Sequence, residues 1–128
     1  TTAINRVGVP CKFDVTLPHD RIAAFIPEVK NLISALAPTS TTWIFGHVGD
    51  GNLHVNVTGL DGDDVLDKSV YELVIAMGGS ISAEHGIGTA KSAYLPMQRS
   101  AAELNLMRGL KAVCDPTGIL NPSVIFDQ

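Results

Sequence analysis

Gly46-His47-Val48-Gly49-Asp50-Gly51-Asn52-Leu53-His54-Val55-Asn56 decides the fold, because it reads as two strands folded back on a tight turn. Asp-Gly between alternating apolar residues signals a two-residue type I′ hairpin, whose central positions both need positive φ. With Asp50-Gly51 at those positions, Gly49 is expected opposite Asn52, Val48 opposite Leu53 and His47 opposite His54. Directly opposed residues share a sheet face, with Cβ atoms roughly 4.5–5.5 Å apart. Two imidazoles so placed converge on one ion, whose bonds to nitrogen run about 2.0–2.1 Å for zinc. The same register puts Trp43, Phe45, Asn56 and Thr58 on the histidine face, and Ile44, Val48, Leu53, Val55 and Val57 on the other. A longer loop, or rings on opposite faces, would remove this argument.

The 128 residues suffice for one hydrophobic core and not two. A formal charge of −4 without any Lys/Arg run argues against nucleic-acid binding or a charged membrane-surface patch. No stretch approaches the roughly 18 apolar residues of a membrane span, and the N-terminus lacks a signal-peptide pattern. A soluble chain is expected, in the cytoplasm or an organelle. Cys11 and Cys114 are too few for a disulfide framework and read as reduced, buried thiols. The opening Thr1-Thr2, with no methionine and a strand close behind, points to a piece of a longer protein.

Val7, Val9, Cys11, Phe13, Val15 and Leu17 alternate with polar Lys12, Asp14 and Thr16, the period of a half-buried strand. Pro10 cannot donate to a ladder, so this strand lies at an edge or pairs only after Pro10. From Asp20 the spacing becomes helical through Ile22, Phe25/Ile26, Val29, Ile33 and Leu36, with a kink or break expected at Pro27. Strands at 41–47 and 52–58 form the hairpin, and Gly59 to Asp64 is a loop. A second helix follows with Val65/Leu66, Val70, Leu73/Val74 and Met77 on its face, stopped by Gly78-Gly79. Ser80-Ile81-Ser82-Ala83 is a short strand candidate, and a third helix at about 96–113 ends before the turn Asp115-Pro116-Thr117-Gly118. The order β-α-β-β-α-β with an extra C-terminal helix is that of an α+β, ferredoxin-like antiparallel sheet with helices on one face. The histidine face is then free to line a site.

A catalytic metal site takes about three protein ligands and keeps one position open. His47 and His54 supply two, and Glu84, between a short strand and a glycine-rich turn, is the natural third. Zinc, manganese and iron all accept this donor set. The competing reading is a solvated hairpin face carrying two polar histidines. His85 is a candidate general base or a histidine bonded to local backbone. Lys12 is a solvated surface lysine or a carboxylate clamp. Gly86-Ile87-Gly88-Thr89-Ala90-Lys91 lacks the full glycine spacing of a phosphate loop, and Asp61-Gly62-Asp63-Asp64 lacks the ligand spacing of a calcium loop.

Four strings occur together and in order: Lys12-Phe13-Asp14-Val15-Thr16-Leu17-Pro18, the hairpin through Val57, Gly79-Ser80-Ile81-Ser82-Ala83-Glu84-His85-Gly86-Ile87-Gly88, and Asp115-Pro116-Thr117-Gly118-Ile119-Leu120-Asn121-Pro122. In them the chain resembles the C-terminal part of FAD-linked oxidases of the vanillyl-alcohol oxidase superfamily, the group holding D-lactate, glycolate and D-2-hydroxyglutarate dehydrogenases. The resemblance covers nearly the whole chain. It implies a flavin held by a separate N-terminal domain, over which residues 1–128 form the substrate and cap domain.

Carried over residue by residue, the resemblance implies metal ligands at His47, His54 and Glu84, with zinc or manganese as the divalent ion. It further implies a catalytic base at His85, contacts to a small 2-hydroxy acid from Lys12 and Asn56, and an approach of Asn121 to the flavin. Asn56 in its His-x-Asn position and the Ser-Ala-Glu-His-Gly string look closest to the 2-hydroxyglutarate branch. The flavin-binding domain is absent, and the substrate-binding arginine expected upstream of Lys12 would precede Thr1, so the chain alone is expected to be inactive. The electron acceptor stays unidentified. The rival readings are a stand-alone ferredoxin-like module binding a metal or ligand, and a metal-dependent hydrolase using His85 on water.

Overall fold

In the computed structural model, which describes Ile4, residues 6–60 and residues 64–126, the chain divides into two compact units, Thr1–Glu84 and His85–Gln128. In the first, β1 (Cys11–Thr16) leads through α1 (His19–Leu36) to β2 (Thr41–His47), β3 (Asn52–Thr58) and α2 (Asp64–Ala76). The sheet order is β1-β3-β2, and both outer strands run antiparallel to β3. β1 and β2 are therefore parallel to one another, joined by the α1 crossover and split by the inserted β3. This is the α+β, split βαβ arrangement that the element order predicts.

β1 begins directly after Pro10, whose missing N–H keeps the ladder from extending further back. Val7 and Val9, counted into the strand by their alternation, lie outside it and are exposed. Phe13 and Val15 of β1 and Leu53, Val55 and Val57 of β3 bury one sheet face. Against it lie Ile22, Phe25, Val29 and Ile33 of α1 and Leu66, Val70, Tyr71 and Val74 of α2. Tyr71 meets Phe13 edge to face, with ring centroids 5.5 Å apart. Each fully covered side chain of this size contributes roughly 1.5–3 kcal/mol. α1 runs through Pro27 without a break. Gly78, at φ 78°, closes α2 with the paired bonds Gly78 N–H to Ile75 O and Gly79 N–H to Val74 O.

The hairpin differs from the two-residue turn. His47 pairs with Asn52, Gly46 with Leu53 and Phe45 with His54, so the connection spans residues 48–51. Val48–Asp50 form one 3-10 turn, and Gly51 stands left-handed at φ 70°. Val48 is consequently exposed in the turn and does not sit on the apolar face. Direct opposition of His47 and His54 is thus overturned, and the longer loop removes the argument for a metal that rested on it. The register has moved by two residues, however, and a displacement of two keeps every side chain on its face.

The fourth strand reduces to one antiparallel bridge, Ser80 with Thr16, on the free edge of β1. Beyond it the chain bends over residues 83–85, so Glu84 and His85 do not lie on an extended strand. The third helix is two helices, α3 (Leu95–Gln98) and α4 (Ala101–Cys114), both in the second unit. Ser100 between them accepts from Glu103 N–H while the Glu103 carboxylate takes Ser100 N–H, a capping box that starts a new helix. Cys11 is half-buried and Cys114 exposed; both are free thiols, which corrects the expectation that both are buried. The loop from Gly59 to Asp64 falls largely on residues 61–63, outside the described residues. Among the described residues no helix is long and apolar enough to cross a membrane.

Candidate metal and substrate site

The sheet face turned away from the helices carries three ranks of side chains across β1, β3 and β2. They are Thr16–Asn52–His47, Asp14–His54–Phe45 and Lys12–Asn56–Trp43. Alternation sets this composition, since every second residue of each strand points the same way. The central strand is so well covered that even its polar members Asn52, Asn56 and Thr58 are buried, while Trp43, Phe45 and His47 on β2 are exposed.

His47 and His54 are diagonal neighbours, with ring centroids 6.0 Å apart and planes at 84°. Diagonal pairs stay within reach for long or aromatic side chains. Glu84 joins them from the bend after Ile81, and one ligand atom from each of the three lies within 4.8 Å of the others. Donor atoms around a tetrahedral zinc stand about 3.3 Å apart at the usual bond lengths, so small side-chain rotations fit this set to an ion. The donor chemistry fits as well, two neutral imidazoles and one carboxylate.

Packed around the three are groups that hold them. Phe45 lies against the His54 ring at 5.3 Å between centroids. Asn52 donates its amide N–H to Glu84 Oε1. Its own Oδ1 is buried without a partner among the described residues, an acceptor available to a hydroxyl or water at the site. Asp14 Oδ1 stands 3.3 Å from His54 Nδ1, and Asp14 Oδ2 accepts from Glu84 N–H at 2.9 Å. Asp14 is the member the sequence reading passed over. Its alternation with Lys12 and Thr16 put it on the correct face, but its partners come from residues 40 and 70 positions away in the chain.

The turn carrying His47 is tied down from two sides. His19 Nε2 lies 2.9 Å from Gly49 O, and Leu17 N–H donates to Gly51 O at 2.9 Å. Gly46 has to be glycine, since a Cβ there would sit 2.2 Å from Asn52 O. Lys12 is exposed beside buried Asn56, so the two substrate-contact candidates are direct neighbours across β1 and β3.

His85 and Asn121 belong to the second unit. His85 is exposed. Asn121, at φ 46°, lines an open cavity of about 450 Å³ with Arg108, Lys111, Thr117, Ser123 and Phe126. Asp115 organises this unit. It accepts from the Lys111 ammonium and from the N–H groups of Ile119 (3.1 Å) and Leu120 (2.9 Å).

Residues 2–125 match the family of FAD linked oxidases, C-terminal domain, and the chain belongs to that family. It is 40% identical over 126 residues to the D-2-hydroxyglutarate dehydrogenase of Stutzerimonas stutzeri (strain A1501), an alignment covering 91% of this chain and 27% of that protein. It is 41% identical over 129 residues to the mitochondrial D-2-hydroxyglutarate dehydrogenase of Bos taurus, covering 95% of this chain and 23% of the relative. The chain thus spans about a quarter of the length of these relatives.

Proposed function

We propose that this chain is the substrate-binding and cap part of an FAD-dependent dehydrogenase that oxidises a D-2-hydroxy acid to the 2-oxo acid, with D-2-hydroxyglutarate as the first candidate substrate. Family membership and the printed names of the relatives support the reaction class. The observation that carries the role of this chain is the convergence of His47, His54 and Glu84 to within 4.8 Å on the open face of the sheet.

In this reading His47, His54 and Glu84 hold a divalent ion, zinc or manganese, and Asn121 contacts the flavin. When bound, the ion supplies a Lewis acid to the substrate's oxygens and the flavin supplies the two-electron sink. Lys12 pairs its ammonium with a substrate carboxylate, and Asn56 adds a hydrogen bond beside it. His85 accepts the proton of the 2-hydroxyl at its neutral imidazole nitrogen, as the C2–H bond gives up its electron pair. Trp43 and Phe45 offer exposed apolar surface on the same face to the substrate's carbon chain.

The test uses the full-length protein. Elemental analysis should find about one divalent ion per flavin, and D-2-hydroxyglutarate should reduce an artificial electron acceptor. Reduction that survives complete removal of the ion overturns the metal assignment, and failure to oxidise any D-2-hydroxy acid overturns the reaction class.

A further inference from the structure

Asp14 touches two of the three donor residues, and they come from different parts of the fold. Oδ1 is 3.3 Å from Nδ1 of His54 on β3, and Oδ2 accepts the N–H of Glu84 at 2.9 Å. The Asp14 carbonyl accepts from Ala83 N–H at 3.2 Å, so the bend that delivers Glu84 is held against β1 at two successive residues. Asp14 is only 8% exposed, and burial of a carboxylate is costly unless its oxygens are paired, a need that Glu84 N–H meets at Oδ2. The 3.3 Å approach of Oδ1 to Nδ1 is not itself a hydrogen bond, so a small turn of the His54 ring that aims an Nδ1–H at it would meet the need of a buried acceptor.

We propose that Asp14 is the positioning residue of the donor set, fixing the tautomer of His54 through Nδ1 and the place of Glu84 through its backbone N–H. This rests on the metal reading above. With the Nδ1 proton turned to Asp14, the lone pair of His54 that remains for an ion is the one on Nε2. A carboxylate behind a metal-binding histidine also raises the basicity of the ligating nitrogen, and losing such a partner typically costs 10–100-fold in metal affinity. Asp14 differs from a common second partner in acting on two donors at once. It registers strand β3 against the segment after Ile81, beside the Ser80 bridge and the Asn52 amide bond to Glu84.

The test reads the histidine directly. Full-length protein labelled with ¹⁵N-histidine and freed of metal should show His54 as the Nδ1–H tautomer at mildly alkaline pH. The Nε2–H form that an isolated imidazole favours would overturn the proposal. Asp14→Asn keeps the shape but can accept for only one of the two donors. Its zinc affinity, measured by competition with a chromogenic chelator, should fall about 10–100-fold, with Asp14→Glu restoring part of the loss. An affinity within about twofold of wild type for Asp14→Asn would overturn the proposal equally. If Asp14→Asn does not fold, the wild-type tautomer still decides. If the wild-type protein binds neither zinc nor manganese, the metal reading falls, and the tautomer alone decides whether Asp14 holds the ring.

Discussion

Leu17 N–H donates to Gly51 O across 2.9 Å, so the end of β1 clasps the tip of the hairpin. Gly51 is left-handed at φ 70°, and a Cβ there would lie 2.4 Å from Leu17 O. Gly51→Ala should therefore combine backbone strain with a backbone clash and destabilise the first unit by about 2–4 kcal/mol. Chemical denaturation checks this. A loss under about 1 kcal/mol would show that the turn re-forms elsewhere.

Cys11 donates its thiol hydrogen to Asp67 Oδ1 at 3.3 Å, joining β1 to α2. Burial, reinforced by the Asp67 charge, pushes this thiol up to about 12. The reactive thiolate is thus scarce at neutral pH. A maleimide at pH 7–8 should label exposed Cys114 and leave Cys11 unmodified until the protein unfolds. Equal labelling rates, followed by peptide mass spectrometry, would contradict the burial.

His47→Ala and His54→Ala in the full-length protein should each abolish stoichiometric metal binding while the cooperative melt persists, because neither ring belongs to the apolar core. Activity should fall with the metal. Unchanged metal content in both variants would remove these residues from the site.

His85→Asn separates proton removal from metal binding. A general base contributes about 10²–10⁴-fold, so flavin reduction by the hydroxy acid should slow by that factor with metal and flavin content near wild type. Loss of the metal would make His85 a ligand. Flavin reduction at the wild-type rate would make it a structural residue.

The Lys111 ammonium, with the N–H groups of Leu120 and Ile119, holds the Asp115 carboxyl below the usual carboxylate range. A depressed folded value contributes stability above the unfolded value of about 3.9 and loses it as pH falls through the folded value. Asp115→Asn should therefore lower the melting temperature at pH 7, with the difference from wild type shrinking as pH falls below the unfolded carboxylate value of about 3.9. A melting difference independent of pH would assign the effect to shape alone.

Strand period made much of the site legible in advance. It placed Phe13, Val15, Leu53, Val55 and Val57 on one face and Asp14, His54 and Asn56 on the other, because alternation is local geometry. The turn was not legible, since Asp50-Gly51 suits both a two-residue turn and the end of a longer one. Contacts from Leu17 and His19 accompany the longer form, and both are distant in sequence. The segment after Ser80 looked like a strand, yet two successive N–H groups turn to Asp14 and leave no ladder. The break before α4 was written in Ser100 and Glu103, a capping signature overridden by the apolar spacing around it. Asp14 carried no motif of its own, and only the folded partners reveal its role.

The four-residue connection between His47 and Asn52 makes the donor set tolerant of some length changes and intolerant of others. Adding or removing two residues while the strands slide by a full pleat keeps both imidazoles on the same face, displaced along it by about 6.8 Å. A single-residue insertion that shifts β2 by one would turn His47 toward Val55 and Val57 and put Ile44 in the solvent. Natural variation in this hairpin is therefore expected in even steps, with odd steps confined to chains in which the two rings no longer share a face.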